Sequence, residues 1–188
     1  MLKITLLSSL LTFTLLFQAC SSDSKTDKAQ EANALLAKNE IVLTSTNKKQ
    51  YVLKKAGEGF TLEDSKAKIL ILDVFATWCP PCQGEASVLT SIQKKFGDKV
   101  KVIGVTIEDN IPNAKLESFK KNYSADYTLV NSSENRRLVN TLAENLKLGK
   151  NFGIPLLVIY KDGKLIHYYQ GATEEEFIDS DIKKALGI

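Results

Sequence analysis

Cys79 and Cys82 are separated by two residues in Trp78-Cys79-Pro80-Pro81-Cys82. Thiols at this spacing can exchange disulfides, supply half of a zinc site, carry a haem or close a structural bridge. Haem attachment needs His directly after the second Cys, and Gln83 is there. Structural zinc needs four ligands. The chain offers one His, His167, and one further Cys, Cys20, which lies near the N-terminus. No metal site is expected. A permanent Cys79–Cys82 bridge would close almost no loop and add little stability. Exchange is the chemistry the pair suits, with a redox-active disulfide as its only reactive group and no separate cofactor.

A dithiol of this kind must sit where a strand hands over to a helix. Residues 69–75 (Ile-Leu-Ile-Leu-Asp-Val-Phe) are nearly all apolar, the pattern of a strand buried on both faces. After Pro80 the pattern turns helical. Ala86, Val88, Leu89, Ile92 and Phe96 recur at three- and four-residue spacing, and Gly97 stops the run. Pro80 and Pro81 lack N–H groups and suit a helix start. At a helix N-terminus Cys79 would gain thiolate character from the dipole and the free N–H groups. Cys82, one turn in, would be the more buried of the two.

The rest of the chain supplies the frame. Residues 41–44 and 50–53 read as a β-hairpin with a polar turn. Residues 60–66 read as a short connection. A second buried strand is expected over 100–107, a helix from Pro112, a short strand over 127–130 and an amphipathic helix over 134–148. Ile154-Pro155 opens a strand to Tyr160, Lys161-Asp162-Gly163-Lys164 is a hairpin turn, and residues 165–169 return. Thr173-Glu174-Glu175-Glu176 reads as a capping box before a last helix. Strands alternating with helices, then a hairpin and a helix, imply an α/β sandwich around a mixed sheet.

The N-terminus reads as an address. Lys3 precedes an apolar stretch over residues 4–17, then Gln18-Ala19-Cys20 and an abrupt change to polar residues. Residues 1–19 are expected to be a signal peptide; the stretch is short for a membrane span, which takes about 20 residues. Phe17-Gln18-Ala19-Cys20 resembles the bacterial lipobox, departing from it at Phe17 and Gln18. That resemblance implies an acylated Cys20, whose lipid chains would hold the protein on a membrane and account for the odd third cysteine. Residues 20–40 would form the lipidated N-terminus and a flexible tether spanning roughly 25 Å, with one folded domain over 41–188. The chain has 188 residues, enough for one core, and a net charge of +3 spread over Lys residues interleaved with acids. No nucleic-acid partner is expected from that pattern.

Residues 72–82 (Leu-Asp-Val-Phe-Ala-Thr-Trp-Cys-Pro-Pro-Cys), followed by Phe152-Gly153-Ile154-Pro155, the apolar run to Tyr160, Lys161-Asp162-Gly163-Lys164 and Gly171, resemble the thioredoxin superfamily. With the preceding hairpin they look like its membrane-anchored TlpA/ResA-like branch. Ser87 departs from that branch, which often has Pro there. The resemblance implies a thioredoxin-like three-layer α/β/α sandwich with a mixed central sheet and an added N-terminal β-hairpin. It implies that Cys79 attacks, that Cys82 resolves the mixed disulfide, and that Asp73 lies behind them as general base for Cys82. It implies a cis Pro155 facing the dithiol, with the backbone of Ile154 pairing with substrate. Trp78 is either a substrate-facing platform or packing beside the thiols. Glu85, three residues after Cys82, either approaches the dithiol or is a solvated helix residue.

The expected activity is that of an extracytoplasmic, periplasmic, membrane-anchored thiol–disulfide oxidoreductase, acting as a monomer. In that branch the activity is mostly reduction of protein disulfides, as in cytochrome c or copper-centre assembly, with electrons from a membrane donor of the DsbD/CcdA type. A disulfide oxidase or isomerase, or a non-catalytic copper- or substrate-binding module on the same fold, are the alternatives.

Overall fold

The computed structural model describes residues 38–149 and 151–188. The expected signal peptide, the acylated Cys20 and most of the expected tether lie outside the described residues. A central sheet of five strands has the order β6-β5-β4-β7-β8: β4 is Ile69–Phe75, β5 Val100–Thr106, β6 Thr128–Val130, β7 Leu156–Lys161 and β8 Lys164–Gln170. β4, β5 and β6 run parallel, while β7 and β8 are antiparallel to their neighbours. The sheet is therefore mixed, as expected from the alternation of elements.

β4 is buried along its whole length, and its side chains alternate between two cores. Ile69, Ile71 and Phe75 enter one, with residues of helices α1 (Pro80–Phe96), α2 (Asn113–Tyr123) and α4 (Glu175–Leu186). Leu70, Leu72 and Val74 enter the other, with Leu138, Val139 and Leu142 of helix α3 (Asn135–Asn145). Each fully buried Leu, Ile or Phe contributes about 1.5–3 kcal/mol, so β4 is the main apolar link between the layers.

The second outer layer is composite. Beside α3 it holds an antiparallel sheet of three strands, β1 (Glu40–Thr44), β2 (Gln50–Ala56) and β3 (Gly59–Leu62). The expected hairpin is β1–β2. The short connection expected over 60–66 is instead partly β3, paired with β2 from Leu53↔Leu62 to Ala56↔Gly59. Gly57 turns the chain with φ +63°, a conformation glycine adopts without strain, and Phe60 then buries against Tyr160 at 6.1 Å between rings. The small sheet rests on the β7–β8 turn at Gly59. A Cβ there would lie 2.0 Å from the Gly163 carbonyl oxygen.

The capping box expected at Thr173 does not form. α4 starts at Glu175 with Glu174 at the cap position and no side-chain cap. The Thr173 hydroxyl donates to the Gly171 carbonyl, and its N–H is given to Glu85.

Candidate active site

The loop between β4 and α1 is held from several sides before it reaches the cysteines. Phe75 O accepts the Ile107 N–H at 3.0 Å and Ala76 O accepts that of Cys79 at 3.2 Å. Glu108, just beyond β5, accepts the Thr77 N–H at 2.6 Å and the Thr77 hydroxyl at 3.1 Å. Gln83 Nε2 donates to Thr77 O at 2.9 Å, so the residue that excluded haem attachment tightens this loop. Partial burial pushes the Glu108 acid up, but Lys115, 2.8 Å away, and the two Thr77 donors outweigh it and hold the carboxyl below its usual range.

Cys79 is the cap residue of α1, with extended backbone, and Pro80 and Pro81 fill the first helical positions. Neither proline has an N–H, so the first backbone donor of the helix is Cys82 N–H. It donates to Cys79 Sγ at 3.3 Å. The two sulfurs are joined as a disulfide. Both cysteines are 3% exposed, which corrects the expectation that Cys82 would be the more buried. The cause is the Ile154–Pro155 loop. Its peptide bond is cis, and the Ile154 carbonyl oxygen lies 3.8 Å from Cys79 Sγ. Pro155 O accepts the Gly171 N–H at 2.8 Å. Trp78, beside these buried thiols, is 61% exposed, so it is not packed away beneath them.

Two carboxyl side chains are buried in this region. Asp73 follows the alternation of β4 onto the face of Ile71 and Phe75, the face whose core holds both cysteines. Its Oδ2 accepts the Tyr127 hydroxyl at 2.9 Å, and Oδ1 has no hydrogen-bond partner among the described residues. Burial pushes its acid up to about 7, opposed by the Tyr127 hydrogen bond. Glu85, on α1, is 2% exposed, which corrects the reading of a solvated helix residue. The loop before α4 covers it. Its Oε1 accepts the Thr173 N–H at 3.0 Å and its Oε2 is unpartnered among the described residues. Burial, then the nearby Asp73, push this acid up to about 8, with the Thr173 N–H opposing.

The structure thus gathers Cys79, Cys82, Ile154 and Pro155, with Asp73 on the same face of the sheet. Tyr127, buried at 5% exposure, was not singled out by sequence; no local pattern marks a Tyr whose hydroxyl is used two strands away. His167 lies on edge strand β8, its ring 4.5 Å from that of Tyr169. Among the described residues no cluster of three or more His, Cys, Asp or Glu could hold a metal ion. A cysteine pair whose first sulfur accepts a helix N–H and lies beside the Ile154 carbonyl has the parts for thiol–disulfide exchange.

The family model for redoxins matches residues 23–186. Thioredoxin Y of rice chloroplasts is 26% identical over 127 residues, covering 68% of this chain and 56% of that protein. The chain therefore spans little more than half of that relative. The thiol-disulfide oxidoreductase ResA of Bacillus subtilis is 25% identical over 148 residues, covering 78% of each chain. Among solved structures, a thioredoxin-family thiol:disulfide interchange protein from Chlorobium tepidum aligns with a TM-score of 0.61 at 20% identity, over 79% of this chain and 94% of that one. That likeness is one of fold.

Proposed function

The chain belongs to the redoxin family, and from that premise we propose that it is a thiol–disulfide oxidoreductase that reduces protein disulfides through Cys79 and Cys82. The observation that carries this is the seat of the Cys79 sulfur, between the Cys82 N–H at 3.3 Å and the Ile154 carbonyl at 3.8 Å.

In the reducing direction Cys79 acts as thiolate. It attacks one sulfur of the client disulfide, a Cys79–client S–S bond forms, and the client S–S bond breaks. The departing client sulfur keeps the electron pair and takes a proton from water. Cys82 then gives its proton to Asp73, and its sulfur attacks Cys79 Sγ. The Cys79–Cys82 bond forms and the second client sulfur leaves as thiolate. Two electrons have passed to the client. The ionised Asp73 carboxylate is a competent base because burial places its acid near the working pH. An extended client segment would pair with the Ile154 backbone beside the cis-proline, with Trp78 as an exposed apolar contact.

The N-terminal residues supply the place. A cleaved signal and an acylated Cys20 would tether the domain to the outer side of a membrane. There it would receive electrons from a membrane donor of the DsbD/CcdA type by exchange with the Cys79–Cys82 disulfide. Clients such as apocytochrome c or copper-centre assembly proteins would fit this reading; the likeness to the thiol-disulfide oxidoreductase ResA supports exchange with disulfides. The test is capture. Cys82→Ala cannot resolve its mixed disulfide, so it should retain client proteins through Cys79, identifiable by mass spectrometry and released by reductant. Retention of the same proteins by the Cys79→Ser/Cys82→Ala double variant, or of none by Cys82→Ala, would overturn the proposal.

A further inference from the structure

Tyr127 lies immediately before β6, an edge strand, while Asp73 lies in β4, with β5 between them. Its hydroxyl nonetheless reaches Asp73 Oδ2 at 2.9 Å. The residue that permits this is Gly104. In the register of the sheet Gly104 pairs with Asp73 on one side and with Leu129 on the other. A Cβ at Gly104 would fall 2.6 Å from Leu129 Cδ2, 3.0 Å from Tyr127 Cε2 and 3.2 Å from Phe75 Cε1. The space where a side chain of β5 would stand is taken by Leu129 and the ring of Tyr127. A bare β5 position and a tyrosine at the next strand together build a bridge to a buried carboxyl.

We propose that Tyr127 is a positioning residue of the dithiol site: reaching over Gly104, it holds Asp73 Oδ2, so that Oδ1 is the oxygen that receives the Cys82 proton. The inference rests on the proposed role of Asp73 as base. The proton balance is that of the resolving step: the Cys82 S–H bond breaks, an Oδ1–H bond forms, and the sulfur's electron pair makes the bond to Cys79. Tyr127 keeps its own proton throughout, because burial and the facing Asp73 hold its hydroxyl well above the ordinary phenol range. It donates to the ionised carboxylate and so opposes the effect of burial on Asp73. The other titratable group that interacts with Asp73 is Glu85 on α1; the two cysteines lie in the core on the same face of the sheet. The strand neighbours Gly104 on β5 and Leu157 on β7 carry no titratable group.

Tyr127→Phe removes one oxygen and leaves the ring that fills the Gly104 gap. In the oxidised protein, where no thiol titrates, the carbon-13 resonance of the Asp73 carboxyl should titrate about one pH unit higher in Tyr127→Phe than in wild type. The acid limb of the pH–rate profile for resolution by Cys82 should move up by the same amount. In an Asp73→Asn background Tyr127→Phe should leave the profile where Asp73→Asn alone puts it. An unmoved Asp73 titration, or an equal shift of the rate profile in the Asp73→Asn background, would overturn the proposal. A moved titration with an Asp73→Asn profile identical to wild type would overturn it by a separate route, the failure of Asp73 as base.

Discussion

Glu85 Oε1 accepts the backbone N–H of Thr173 at 3.0 Å, across 88 residues of sequence. Two residues before Thr173, the Gly171 N–H holds the Pro155 carbonyl at 2.8 Å. The helix that carries Cys82 and the loop that covers Cys79 are thereby joined through one short strap. A carboxylate buried for this purpose is costly when ionised, which makes the strap sensitive to pH.

Glu85 has an ordinary acid range near 4.5 and is pushed up to about 8 in the fold. The folded protein therefore holds a proton there that the unfolded chain has lost. That contribution is fully present below about pH 4.5 and is lost as pH rises through about 8, with a slope of at most roughly 1.4 kcal/mol for each pH unit crossed. In the oxidised protein, Glu85→Gln keeps an acceptor for Thr173 and should flatten this decline, leaving the variant more stable than wild type at pH 8. Denaturant unfolding from pH 4 to 8 measures it. Parallel curves for the two proteins would contradict this role of Glu85.

Asp73→Asn should slow resolution of the mixed disulfide roughly tenfold or more near pH 7, within the usual reach of general base catalysis. Initial attack by Cys79 should change far less. Stopped-flow fluorescence can follow each step, because the single Trp of the chain, Trp78, adjoins Cys79. Equal slowing of both steps would assign Asp73 to general stability instead.

Glu108→Ala should loosen the active-site loop, since it removes the acceptor for both Thr77 donors. A stability loss of about 1–3 kcal/mol is expected from the orphaned groups, with a fall in exchange rate. The Glu108 carboxyl is held below its usual range, so its contribution is present above about pH 4.5 and is lost as pH falls further. Glu108→Gln should therefore weaken the dependence of stability on pH below that point, as thermal unfolding would read.

Gly59→Ala tests the seat of the small sheet. The added carbon would meet the Gly163 carbonyl oxygen at 2.0 Å and Tyr160 Cδ1 at 2.9 Å. One strand or the β7–β8 turn must move, at a cost of about 1–3 kcal/mol. Urea unfolding should show this loss. Gly84→Ala, with nothing within 4 Å of the new carbon, is the control and should not be destabilised, as alanine is the better helix former.

The parts legible in sequence are those whose signals are local. The apolar run of β4, the prolines after Cys79, the apolar spacing of α1 and the Asp162-Gly163 turn each depend on neighbours within a few residues. Burial of Asp73 was legible for the same reason, as one polar residue in a strand with no exposed face. The unforeseen features are made by distant contacts. β3 is a strand because β2 offers it an edge, and four residues with a glycine carry no periodicity of their own. The capping box at Thr173 has the right residues, yet Glu85 takes the Thr173 N–H and the helix begins later. Glu85 looks solvated by helical spacing until α4's leading loop folds over it. Tyr127 acquires its partner only when Gly104 lies between them.

If Cys79 and Cys82 act as a reducing dithiol, the reduction potential of the pair must lie on the reducing side. Equilibration of the protein with glutathione buffers of graded ratio, read from the Trp78 emission or by thiol alkylation, gives the value. A reducing dithiol should show a potential below about −220 mV, in the range of proteins that reduce disulfides, and a value near −120 mV, that of a strong oxidant, would contradict it.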